Sequence, residues 1–229
     1  MGKVGLEGMS EERKEQRPFP ADYHDYVIKD GKLTGDFENM YRYSEEIPWH
    51  QDTCCNHWSA QVGMLMLQHH SPYDTILEIG CGLGYIAARL KNFAKENIDA
   101  FDISPEAIRK ARNFHPGIQF YVDDISQASF QPKQRYDLVV VRDIFWYVFP
   151  QMEVVVRNIN ACIKPQGFFF ISQSFPALNQ PFVGKEAIPH PEALIAYFPN
   201  YDPLDTAVFR NHRLVENGPI LHFLGIKVR

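Results

Sequence analysis

"ILEIGCGLGYIAARL", residues 76–90, runs from an apolar strand-like stretch through a glycine-dense turn into a helical pattern. Such turns bind ligands because glycines let the backbone approach closely with no β-carbon in the way, and the helix N-terminus presents unpaired N–H groups. A nicotinamide dinucleotide turn is spaced GxGxxG, with an acid about 20 residues on. Here Gly80, Gly82 and Gly84 are spaced GxGxG, and Tyr85 stands where the third dinucleotide glycine would be. Glu78 lies just before the turn. An inward carboxylate there would repel a pyrophosphate and suit a cationic ligand.

Outward from this turn the hydrophobic period switches repeatedly. Trp58, Val62, Leu65, Met66 and His69 fall at helical spacings, so a helix is expected over 56–69. The strand "TILEIG" should lead into a helix over 84–94. "IDAFDI" is a second strand, followed by Ser104 as N-cap, Pro105 at the first helical position and a helix to about Phe114. "IQFYVD" and "YDLVVVRD" are a third and a fourth strand. The fourth is nearly all apolar, as a strand covered on both faces would be. A helix over about 151–162 should end near Pro165-Gln166-Gly167, before a fifth strand, "FFFISQ". Strands alternating with helices predict an α/β fold with a doubly wound, mostly parallel sheet. The rhythm then breaks. Residues 174–191 form a proline-rich insertion, "PEALIAYF" reads as a short helix, and residues 207–228 read as two antiparallel strands around Asn217-Gly218-Pro219.

With the acid and the turn in place, "EIGCGLG" resembles the first motif, E/D-x-G-x-G-x-G, of the class I S-adenosylmethionine-dependent methyltransferases. The resemblance covers residues 56–229, about three quarters of the chain, and implies a Rossmann-like seven-stranded sheet whose C-terminal strand is antiparallel. It implies that Gly80, Cys81, Gly82 and Gly84 wrap the methionine moiety, with Glu78 near its ammonium. Asp102, 22 residues past Gly80, would take the ribose hydroxyls, with Ile103 beside it. In "VDDIS", Asp124 best fits the acid that contacts the adenine amine, with Asp123 its rival and Ile125 following. Arg142, in "DLVVVRDIFWYV", falls in the fourth-strand motif lining the methionine and acceptor side. The implied cofactor is S-adenosylmethionine and the implied product S-adenosylhomocysteine.

A sulfonium is already an activated methyl donor, so the protein has mainly to align a nucleophile and exclude water. Three stretches could build the acceptor side. In "PWHQDTCCNHW", residues 48–58, Trp49 is expected against cofactor or acceptor, and His50 is a candidate base that reads equally as a surface histidine. "IPWHQD" is more loosely similar to the lead segment of nodulation-type and polysaccharide-cluster methyltransferases. In "RDIFWYV", Asp143 could orient or deprotonate an acceptor, cap the next turn or pair with Arg142. Phe145, Trp146 and Tyr147 are core or substrate contacts. Residues 174–191 are a candidate lid holding a second histidine, His190. Neighbouring cysteines rarely both reach one ion, so Cys54-Cys55 is expected to pack rather than bind a metal.

The expected organisation is a flexible tail over 1–20, an arm or cap over 21–55 with an Asp30-Gly31 turn, and the cofactor-binding domain over 56–229. In 229 residues the apolar share is 45% and the aromatic share 14%, as in a globular protein. A net charge of −5 gives no electrostatic footprint for nucleic acid or an anionic membrane. No apolar run reaches the roughly 18–20 residues that span a bilayer. Four cysteines without a disulfide framework suit a reducing cytoplasm. These features point to a small-molecule acceptor, methylated on oxygen or nitrogen, with no nucleic-acid or membrane partner. Aromatics of the arm could make a homodimer contact as easily as a lid. A protein or other macromolecular substrate, and a non-catalytic cofactor binder, are the rival readings.

Overall fold

The computed structural model describes Pro20 and residues 22–177, 182–210 and 217–228. Apart from Pro20, the expected tail lies outside these residues, as does part of the candidate lid.

The arm comes first. Helix α1 (His24–Val27) leads into a hairpin of β1 (Ile28–Lys29) and β2 (Lys32–Leu33). Its turn is Asp30-Gly31, with φ of +51° and +71°, the two left-handed residues that a tight two-residue hairpin needs. Helix α2 (Phe37–Tyr43) starts at Asp36, whose carboxylate accepts the Asn39 amide. Short 3₁₀ turns at Pro48–His50 and Cys54–Asn56 carry the chain to α3 (Trp58–His69).

The body alternates as the sequence period predicts: β3 (Tyr73–Ile79), α4 (Tyr85–Leu90), β4 (Ala94–Asp102), α5 (Pro105–Phe114), β5 (Gln119–Val122), β6 (Tyr136–Arg142), α6 (Phe145–Val148), α7 (Met152–Cys162), β7 (Ile163–Pro176), α8 (Pro191–Ile195), β8 (Tyr201–Phe209) and β9 (Asn217–Lys227). The seven-stranded sheet runs β5-β4-β3-β6-β7-β9-β8, and only β9 is antiparallel to its neighbours. The strand order reverses beside β3, the first strand of the series, and ligands in such sheets lie outside the carboxyl ends at that reversal.

Alternation along the strands divides the core. Leu77, Ile79, Val139, Val141, Phe169 and Ile171 pack with Val155 and Ile159 of α7. Ile76, Leu138, Val140 and Phe170 pack on the other face with Leu67 of α3, Ala87 of α4 and Ile108 of α5. The run Leu138–Val141 is fully buried, as expected of a strand covered on both faces. Each such side chain contributes about 1.5–3 kcal/mol by leaving water.

Three local expectations are corrected. The helix after the glycine turn stops at Leu90, and after a short 3₁₀ turn β4 already begins at Ala94. Its polar opening, "AKEN", extends the strand at the amino edge, where Tyr73 pairs with Ala94 and Lys95 Nζ reaches Asp74 at 3.0 Å. The fifth strand starts at Ile163, so Pro165-Gln166-Gly167 is an irregularity within it, with Gln166 at φ +59°. Asn217-Gly218-Pro219 opens β9 rather than forming a turn, and the β8–β9 connection falls on 211–216, outside the described residues.

Candidate functional site

The glycine turn takes its shape from three left-handed residues. Gly80, Gly82 and Gly84 have φ of +73°, +52° and +82°, which glycine adopts without a β-carbon penalty. Space also excludes a side chain: a Cβ on Gly80 would lie 2.4 Å from Ile144, and one on Gly84 2.6 Å from the Phe120 ring. Cys81 within the turn is buried, and burial pushes its thiol well above the ordinary range.

Two acids end the strands beside this turn. Asp102 Oδ2 accepts the Gly82 amide at 2.9 Å and Oδ1 accepts the Ser104 amide at 3.0 Å. Each oxygen keeps a lone pair for a further donor. Ser104 caps α5 as predicted, its hydroxyl accepting the Ala107 amide at 3.1 Å. Glu78 is 2% exposed, and its Oε2 has no partner. Burial raises its pKa to about 8, against the opposing pull of the Arg142 guanidinium and the Ala87 amide.

The third-strand acids sit at the same edge, with Asp123 donating its amide to Asp102 O at 3.2 Å. Asp124 Oδ1 accepts the Ser126 amide and hydroxyl at 2.9 and 2.7 Å, and Oδ2 accepts Gln127 Nε2 at 2.7 Å. Asp123 uses only Oδ1, toward the Asp124 amide, among the described residues. Ile125 is buried, whereas Ile103 is 48% and Val122 47% exposed, leaving apolar surface beside the acids.

At the fourth-strand end, Arg142 is 16% exposed, with Cys54 Sγ 3.8 Å from NH1 and Asp143 Oδ2 3.9 Å from NH2. Asp143 is left-handed at φ +51°, its amide donates to Ser172 O at 2.9 Å, and its Oδ1 accepts the Ser174 amide at 2.6 Å. It therefore ties the β6 end to β7 as well as neighbouring Arg142. Phe145 and Trp146 are core residues, with Trp146 Nε1 donating to Ser174 O at 2.7 Å. Tyr147 instead meets the arm, 5.2 Å from the Phe37 ring and 5.9 Å from Trp49.

The arm closes over the turn through residues the sequence did not single out. Gln51 Oε1 accepts the Leu83 amide at 2.8 Å, and its Nε2 donates to Tyr41 OH at 2.9 Å. Glu38 Oε2 accepts the Ser104 hydroxyl at 2.6 Å and the Glu106 amide at 2.9 Å, fastening α2 onto the start of α5. Lys110 Nζ donates to Tyr41 O. The one available signal was Gln51 within "IPWHQD". Glu38 and Tyr41 carried none, because the residues of α5 that they fasten, Ser104 and Lys110, are more than 60 residues away.

Trp49 joins the arm's aromatic cluster with Tyr23, Phe37, Tyr41 and Tyr147. His50 is exposed and lines a cavity of about 470 Å³ with Asp22, Tyr23, His24 and Glu46. A second cavity, about 330 Å³, lies between Tyr41, Ile47, Pro48, Leu83 and Lys110. Neither is lined by the strand-end acids, so the structure does not bring His50 together with them. His190 caps α8 by accepting the Ala193 amide and lies 3.0 Å from Glu192. Of the candidate lid, Ser174–Pro176 continue β7, and Ile188 is buried in the core.

Residues 76–167, from within β3 to the start of β7, match the methyltransferase domain family. Malonyl-[acyl-carrier protein] O-methyltransferase 2 of Ilyobacter polytropus is 28% identical over 120 residues, 51% of this chain and 45% of that protein. The malonyl-[acyl-carrier protein] O-methyltransferase of Bacillus anthracis is 30% identical over 114 residues, 47% of this chain and 41% of that protein. The chain thus spans less than half the length of these curated relatives. In fold it is similar to the N-methyltransferase NodS of Bradyrhizobium japonicum, solved with S-adenosyl-L-homocysteine, at a TM-score of 0.64 and 20% identity over 80% of this chain and 92% of that one. It is also similar to TehB of Haemophilus influenzae, at a TM-score of 0.57 and 16% identity over 84% of this chain and 66% of that one. Residues 76–167 thus carry a match to the methyltransferase domain, and the sheet order agrees with the fold of these methyltransferase neighbours.

Proposed function

We propose that the protein binds S-adenosylmethionine at the glycine turn and transfers its methyl group to an oxygen or nitrogen of a small molecule. The observation that carries this reading is Glu78, a buried carboxylate with an unpartnered oxygen under a turn of three left-handed glycines. A buried polar atom without a partner is costly, and a cationic ammonium would satisfy it.

The residues fit the group. Glu78 would hold the ammonium, and the amides of Gly80, Cys81, Gly82 and Gly84 would surround the methionine chain. Asp102 would take the ribose hydroxyls with the lone pairs its two amide bonds leave free. Ile103 and Val122 offer apolar surface to a flat base, with Asp123 or Asp124 at its amine and Ile125 behind. Trp49 and Arg142 would border the cofactor on the acceptor side. Bound there, S-adenosylmethionine supplies a methyl group on a sulfonium.

The chain's own task is to align the acceptor and exclude water, and the aromatic arm over the turn serves the second. His50 and Asp143 are the side chains that could take a proton from a hydroxyl acceptor. The O-methyltransferases among the relatives favour oxygen as the methylated atom. No helix of the described residues is long and apolar enough to cross a membrane.

The test is calorimetry with S-adenosylmethionine and S-adenosylhomocysteine, with NADH as control. Binding of the adenosyl ligands alone is expected. Binding of neither, or of NADH, would overturn the reading.

A further inference from the structure

At the end of β6 the chain holds a positive charge with too few partners. Arg142 carries five N–H donors, yet among the described residues no oxygen accepts from it within hydrogen-bond reach. Its nearest carboxylate, Asp143, stands at 3.9 Å with its other oxygen held by the Ser174 amide. Glu78, buried at the end of the neighbouring β3, is raised to about 8 by burial, which weakens it as a counter-charge at neutral pH.

Cys54 of the arm fills part of the gap, 3.8 Å from NH1. A hydrogen bond from Cys55 and the Arg142 charge both lower the Cys54 thiol, to about 6, and its Sγ also lies 3.4 Å from Gln51 O. The arm segment that brings Cys54 there is the one whose Gln51 covers Leu83 of the turn. A guanidinium whose one close side-chain partner among the described residues is a soft sulfur of the arm therefore adjoins the glycine turn.

The register fixes which side of the sheet it faces. Glu78 pairs with Val140, and Arg142, two residues on, pairs with Ser172, so both polar groups rise on the α3 face at the carboxyl edge. Planar bidentate recognition of a carboxylate is what a guanidinium does best.

We propose that Arg142 anchors an acceptor carboxylate, which makes the reaction the formation of a methyl ester. This rests on the cofactor reading above. The acceptor oxygen forms a bond to the methyl carbon as the carbon–sulfur bond breaks, its electron pair staying on sulfur. A carboxylate carries no proton to lose, so the step balances without a base. That agrees with an Asp143 engaged by the Ser174 amide and a His50 turned to the outer cavity.

The experiment titrates the complex of the full chain with S-adenosylhomocysteine using glutarate, propionate and benzoate, with glutaramide as neutral control. At least one carboxylate should bind the wild-type complex and glutaramide should not. Arg142→Gln should weaken that binding tenfold or more, with a much smaller effect on S-adenosylhomocysteine, which Arg142 only borders, while Arg142→Lys restores part of it. With tritiated methyl donor, the label passed to the bound carboxylate should be released as methanol by alkali. Indifference of the wild-type complex to all three carboxylates overturns the proposal, as does base-stable label. A tenfold loss of S-adenosylhomocysteine affinity in Arg142→Gln would move Arg142 to the cofactor's own carboxylate and also overturn it. If the wild type binds no S-adenosylhomocysteine, it is the methyltransferase reading that fails.

Discussion

Asp102 Oδ2 accepts the Gly82 amide at 2.9 Å, so the end of β4 holds the middle of the glycine turn. The same carboxylate holds Ser104 at the start of α5. Asp102→Ala should therefore weaken both the fold and the binding of S-adenosylhomocysteine. Each lost hydrogen bond to the charged acceptor is worth about 1.5–3 kcal/mol. Asp102→Asn keeps the shape and loses the charge. Calorimetry and thermal melts on both variants separate the contributions, and wild-type affinity in Asp102→Ala would show the ribose site misplaced.

Glu78 makes stability and binding depend on pH in opposite senses. Its folded pKa, about 8, lies above the ordinary 4.5 because of burial. Between these values the unfolded chain releases a proton that the native state keeps. The stability it contributes is thus complete below about pH 4.5 and is lost as pH rises through about 8. The loss is on the order of a few kcal/mol. Glu78→Gln should flatten this part of the pH dependence, read as the difference between the two proteins' melting curves at pH 5 and pH 8.

Cofactor binding should run the other way. An ammonium favours the ionised carboxylate, so affinity for S-adenosylhomocysteine should rise from pH 6 to pH 8, by at most about tenfold per unit. Glu78→Gln should bind weakly at every pH and lose the slope. A wild-type affinity independent of pH would remove Glu78 from the ammonium.

Gly82 joins the turn to the arm. An added Cβ would lie 2.4 Å from Gln51 Oε1 and 2.6 Å from Tyr41 OH, at a φ of +52°. Gly82→Ala should lose about 1–2 kcal/mol from the left-handed backbone alone, and release the arm besides. Gly31→Ala is the control, since it shares a positive φ but meets nothing within 4 Å. Limited proteolysis should cut residues 22–55 faster in Gly82→Ala than in Gly31→Ala. Equal cutting would show that the arm does not depend on this contact.

His50→Ala and Asp143→Asn distinguish the acceptor classes. With a carboxylate acceptor neither change should alter the pH profile of kcat. His50→Ala should also keep the rate within about twofold, as surface substitutions generally do. Loss of a limb of the pH profile in either variant would assign that residue as the base and point to a hydroxyl acceptor.

Local rules carried the sequence far. Asp30-Gly31, Ser104-Pro105 and the apolar β6 act through their immediate neighbours, so hairpin, N-cap and central strand were legible where the structure has them. The E-x-G-x-G-x-G spacing placed the turn, and strand alternation placed the acids at one edge. Boundaries failed where a polar stretch was recruited by a neighbouring strand, as "AKEN" was by Tyr73, or where a turn-like triplet was drawn into the sheet, as Asn217-Gly218-Pro219 was.

Composition, period and motif thus determined by themselves the α/β class, the glycine turn and the acids that lie at the carboxyl edge of the sheet. Tertiary structure alone decided what closes that edge: Glu38 on Ser104, Gln51 on Leu83, Cys54 against Arg142, and Tyr147 rather than Phe145 or Trp146 meeting the arm. Helix and strand patterns come from neighbours along the chain, whose spacing is written in the sequence. These contacts join residues 32 to 110 positions apart, and only the packed sheet brings them within reach.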